Sequence, residues 1–228
     1  YLCSLRDKHS AHVIPPHLFH EDKGRLSTQI KRYLSSRRAE CGAEKGATFA
    51  ALAEYCAKNA YSVVSKEAGF TADTPFVIAH DLDPAASPPI IRVLIGTNKT
   101  VSNLCDSQDV LPFGGFWSTD ATGKVSAQGL PLLVAVTVDA RSKGHWGTIM
   151  LSSHEGEAAY AWKIQRTKEH ARTALHKELL PAQTCGDHAE AIHNACQANF
   201  TPDCVQSECF PHQARNARLK LRAANVSK

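Results

Sequence analysis

His188 and Glu190 stand two residues apart in Thr184-Cys185-Gly186-Asp187-His188-Ala189-Glu190, and Cys204 and Cys209 follow in the next stretch of chain. These residue types suit a zinc site. With His188, Cys204 and Cys209 as ligands, the fourth tetrahedral position is left to a water whose pKa falls toward ~7. Glu190, unable to reach the metal, would pass protons between that water and a ring nitrogen of a substrate. The same residues admit a plainer reading. Cys204 and Cys209 would then be disulfide partners of other cysteines, and His188 with Glu190 a polar helix start, capped by Asp187 and favoured by the helix dipole.

The first reading resembles the zinc-dependent nucleobase deaminase superfamily, whose signature is His-x-Glu followed by Pro-Cys-x-x-Cys. The resemblance covers about residues 132 to 210. It implies zinc as cofactor, Glu190 as catalytic acid and base, and a nucleobase or nucleic-acid substrate. This chain has Pro202-Asp203-Cys204 and then Cys209 where the family has its Pro-Cys-x-x-Cys.

Two further classes compete. A metal-free secreted ribonuclease would use imidazoles as acid and base, with His80, His145 and His154 as candidates at strand ends. A secreted interaction protein without catalysis would need only a disulfide-held surface. The net charge of +4 and three basic segments favour a polyanionic partner such as RNA. The segments are Lys31, Arg32, Arg37 and Arg38; Arg166, Lys168, His170 and Arg172; and Arg215, Arg218, Lys220 and Arg222.

Eight cysteines, at 3, 41, 56, 105, 185, 196, 204 and 209, form an even set without a Cys-x-x-Cys pair. That pattern predicts disulfides and an oxidising compartment. Sequons at Asn98, Asn199 and Asn225, and a chain opening on Tyr1, agree with a secreted, extracellular glycoprotein of toxin or effector type. No apolar run is long enough to span a membrane as a helix. Zinc, or no cofactor at all, completes the expectation.

The elements that must position these residues follow from periodicity. Leu26, Ile30, Tyr33 and Leu34 mark one amphipathic helix, and Phe49, Leu52, Cys56, Ala60 and Val63 a longer second one. Phe76 to Ala79 and Ile90 to Ile95 read as strands separated by a Pro-rich link, and Asp106 to Gly129 as a long loop. Leu132 to Val138 and Trp146 to Leu151 make a hairpin. A helix spans Glu155 to Leu179 and is closed by Pro181; a short one begins at Gly186 or Asp187, and a last basic one at Phe210. The whole reads as a single domain over 1–228, α+β or three-layer α/β, with helices flanking a central, partly antiparallel, disulfide-bonded sheet.

Overall fold

A computed structural model describes residues 48–112, 114–122, 130–141, 143–187 and 190–209, all within the unit Thr48–Lys228. The expected helix at Leu26–Leu34, the last basic helix, Cys3, Cys41, His188, Arg215, Arg218 and Asn225 lie outside the described residues. Among the described residues, five helices and a seven-stranded mixed sheet make an α+β fold.

Helix α1 (Phe49–Lys58) starts where Thr48 accepts a hydrogen bond from the Ala51 amide at 3.1 Å. The expected longer helix stops here because the Asn59 side chain donates to the Tyr55 carbonyl and Ala60 forms a bridge with Val77. Only a single turn, α2 (Tyr61–Val64), follows. Strands β1 (Phe76–Asp83) and β2 (Ile90–Gly96) form an antiparallel pair, and Asp83 accepts from the Ala85 and Ala86 amides at the start of their Pro-rich link.

Over its described residues, the predicted loop at 106–129 is corrected by the structure. Helix α3 (Asn98–Val110) reaches into it, opened by a reciprocal capping box between Thr97 and Thr100 and anchored by buried Val101, Leu104 and Cys105 at helical spacing. Strand β3 (Gly115–Thr122) then crosses the sheet with Trp117 and Thr119 buried between partly exposed neighbours. The hairpin of β4 (Leu132–Val138) and β5 (Gly144–Ser152) stands as predicted, with Leu133, Ala135 and Thr137 buried between partly exposed Leu132, Val134, Val136 and Val138 as a pleated strand with one face on the core requires.

Helix α4 (Glu157–Ala174) is followed by β6 (Pro181–Gly186), α5 (Glu190–Asn199) and β7 (Val205–Glu208). Pro181 therefore does more than close a helix: it is the first residue of a strand, where the missing N–H costs least. The strand order is β1-β2-β5-β4-β3-β6-β7. From β1 to β3 every pairing is antiparallel, whereas β3/β6 and β6/β7 are parallel.

Adjacent residues of one strand face opposite sides of a sheet, and Val93 and Leu94 accordingly belong to two cores. Leu94 joins Leu104, Trp117, Leu133, Met150, Ile164 and Ile192 beneath α3, α4 and α5. Val93 joins Cys56, Val77 and Leu52 under α1. Helix α3 approaches β5 so closely that a Cβ at Gly147 would lie 2.7 Å from Leu104.

Disulfide bonding is not what holds these layers. Cys56, Cys105, Cys185, Cys196, Cys204 and Cys209 are all free thiols. Cys56, Cys105 and Cys196 are at most 2% exposed and pack as small apolar side chains. Burial pushes the Cys105 thiol up to about 11 and that of Cys196 to about 12, which makes both unreactive.

Candidate functional site

Parallel pairing of β3 with β6 puts Ser118 opposite Cys185. Two residues further along each strand are Asp120 and Asp187, so the register carries both carboxylates to the same end of two neighbouring strands. Asp120 lies in β3, where its Oδ1 accepts from the Ala121 amide at 2.8 Å, and Asp187 is the residue immediately after β6. A third carboxylate, Glu155, precedes α4. Burial, then the charges of Asp187 and Asp120, raise its pKa, and the same three carboxylates together with burial raise that of Tyr160. Three acidic groups from three separate segments thus share one electrostatic neighbourhood.

Beside it lies a cavity of about 510 Å³, walled by Cys185, Gly186 and Asp187, by Glu190, Ile192 and His193 of α5, and by Gln206 and Ser207 of β7. A Cβ on Gly186 would come within 2.8 Å of Ile192, so the glycine lets α5 close against the strand end. Crevices at the carboxyl ends of parallel strands are where open sheets bind ligands.

The residues singled out from sequence are dispersed around this centre. Glu190 is exposed in the first turn of α5. Cys204 packs against the main core and raises the Cys196 pKa, whereas Cys209 adjoins Cys185 and donates its amide to the Gly186 carbonyl at 2.7 Å. Among the described residues no group of three His, Cys, Asp or Glu side chains is set to hold a metal ion.

His80 is exposed on β1, at the edge of the sheet. His145 pairs with Asp139 at 3.0 Å, and that bond together with the Lys143 and Arg141 amides holds the Asp139 carboxyl well below its usual range. His154 shares a 2.7 Å hydrogen bond with Ser153. The three histidines do not converge.

Of the basic residues, Arg166 pairs with Glu169 and lies over the Trp162 ring, and Lys168 donates to the Asn199 carbonyl. Arg172 is exposed on the same helix. The two sequon asparagines among the described residues are engaged internally. Asn98 is bonded to buried His170 at 3.2 Å, and the Asn199 amide donates to Ala195.

Residues 116–216 match a family model, the MULE transposase domain. The match begins in β3 and runs beyond β7, so it takes in Asp120, Glu155 and Asp187 and leaves β1, β2 and α3 outside. No curated protein matches the chain.

The transposase likeness overturns the resemblance to nucleobase deaminases, and with it zinc-dependent deamination by a secreted toxin or effector. The secreted ribonuclease, the secreted interaction protein and the extracellular location fall on the same finding, and the free thiols remove the disulfide argument on which secretion rested. Asp120 was missed because its segment reads as a loop, and Asp187 because a helix cap explains it locally. The available signal was the two-residue alternation of Trp117, Thr119 and Ala121, with the aspartate between the last two.

Proposed function

We propose that this chain carries the core of a DNA-cleaving and DNA-joining activity of transposase type, with Asp120 and Asp187 as the central carboxylates and Glu155 beside them. The observation that carries the reading is the parallel β3/β6 register, which aligns the two aspartates at one sheet end inside the segment that matches the transposase model.

Moving a DNA segment requires phosphodiester bonds to be broken and re-formed, and the obstacle is negative charge on the phosphate. Carboxylate oxygens are hard donors suited to Mg²⁺ or Mn²⁺, and Mg²⁺ characteristically takes one or two protein carboxylates and completes its shell with water and substrate phosphate. Asp120 and Asp187 fit that demand. Burial, and after it the nearby charges of Asp187 and Asp120, raise the Glu155 pKa, which supports placing the three carboxylates in one neighbourhood. Divalent cations would supply charge neutralisation and activation of the attacking water or hydroxyl. Asp120, on β3, and Asp187, directly after β6, would hold and space that centre, and Glu155, ahead of α4, would add negative charge beside it without being one of its ligands.

A polyanionic partner is retained from the sequence as DNA. Arg172, with Arg166 and Lys168 on the same helix and Arg215 and Arg218 beyond the described residues, are proposed as phosphate contacts. No helix among the described residues is long and apolar enough to cross a membrane.

Cleavage of duplex DNA in the presence of Mg²⁺ or Mn²⁺ tests the reading. Activity that requires the metal and disappears in Asp120→Asn and Asp187→Asn supports it; activity untouched by both substitutions refutes it.

A further inference from the structure

The cavity between α5 and the ends of β6 and β7 has no part in the charge chemistry just described, yet Asp187 forms one of its walls. We infer that it receives the base of a single unpaired nucleotide next to the cleaved phosphodiester. The inference rests on the DNA-cleaving reading.

Position argues first. A phosphate held between Asp120 and Asp187 has its neighbouring sugar and base within one nucleotide of the cavity mouth, because Asp187 belongs to both. Size argues next: about 510 Å³ lies in the range of small-ligand sites, and a cleft of that volume takes one nucleotide and excludes a duplex.

The lining fits a base. Ile192 and Cys196, both at most 3% exposed, give an apolar floor, while exposed His193 presents a flat ring at the rim for stacking. Gln206 donates its amide to the His193 carbonyl at 3.2 Å. That bond fixes the side chain and leaves its carbonyl oxygen as an acceptor. Glu190 adds a carboxylate one helical turn from His193, so the rim is rich in acceptors, and the exocyclic amino groups of adenine, cytosine and guanine are the donors that match it. A base turned out of its stack exposes those groups, and stacking and hydrogen bonding in the pocket offset the lost stacking in the duplex.

Duplexes carrying a single 2-aminopurine at successive positions around the cleaved bond test this directly, with cleavage scored in parallel. The expected result is a fluorescence change on binding confined to one position beside the cleaved bond and lost in His193→Ala and Gln206→Ala. Removing that one base, as an abasic site, should weaken wild-type binding roughly tenfold and leave His193→Ala indifferent. The variants' thermal midpoints are measured alongside, so that a lost signal with an unchanged midpoint reports on the pocket and not on folding. A signal spread evenly along the duplex, or one unchanged in both alanine variants, overturns the pocket assignment even if cleavage is intact. Metal-dependent cleavage that is absent altogether overturns the underlying reading instead.

Discussion

His170 should make the fold acid-sensitive over a defined interval. It is 6% exposed on α4, with its ring 4.8 Å from that of Tyr61 and 5.2 Å from that of Phe76, and its Nε2 is 3.2 Å from Asn98 Oδ1. Burial drives its pKa down from 6.5 to about 4. The unfolded chain, with His170 in water, therefore takes up a proton before the folded chain does. Above pH 6.5 both states hold neutral imidazole and stability is complete. As pH falls from 6.5 toward 4 the unfolded state alone gains the proton, and below 4 the loss from this residue levels off. A difference of 2.5 units at about 1.4 kcal/mol each gives a loss of roughly 3 kcal/mol, a large share of a typical domain's stability.

Urea melts from pH 7.5 to 4 on the wild type and His170→Gln would read this as a difference, since carboxylates elsewhere titrate alike in both. Wild type should lose about 3 kcal/mol more than the variant across that interval. Parallel curves, or a His170 imidazole resonance titrating near 6.5 in the folded protein, would refute the reasoning.

Other outcomes follow from the packing and the site. Asp120→Asn and Asp187→Asn should each lower metal-dependent DNA cleavage by about a hundredfold or more while thermal midpoints hold, and Glu155→Gln should cost less. Gly147→Ala should destabilise by roughly 1–3 kcal/mol in denaturant melts, because its Cβ would press on Leu104. Lys163 is fully buried, its amine donating to Thr119 Oγ1 and held well below its usual pKa by desolvation. Thr119 keeps its own bond to the Val134 carbonyl, so Lys163→Met should stabilise at pH 7 by about 1 kcal/mol or more. Thiol titration of the unfolded, unreduced protein should find the six described cysteines free; two or fewer would contradict the packing.

What could be read in the chain was what short-range patterns encode. The β4/β5 hairpin announces itself through alternating β-branched residues around an Asp-and-Gly turn, and the first two strands through their Pro-rich link. Strand β3 hides because Gly115, which reads as a loop residue, is there to let the backbone approach Pro181, whose Cα would lie 3.1 Å from an added Cβ. Strand β7 is four residues of mixed polarity, below any periodic signal. The cysteine count pointed to disulfides because parity cannot distinguish a bonded sulfur from a buried thiol. As for Asp120 and Asp187, neither has a local motif. Their meaning comes from a pairing between strands separated by β4, β5 and α4.

That separation has a consequence for how the protein is made. Antiparallel neighbours joined by tight turns can zip as they emerge, whereas β3 and β6 pair only after the intervening chain has been synthesised and its loop-closure entropy met. No fragment ending before β6 contains the aligned aspartates, and an intermediate with the hairpin formed still lacks them. On the proposed reading, the ability to cut DNA would then arise as one of the last events of folding, and a nascent or truncated chain would lack it.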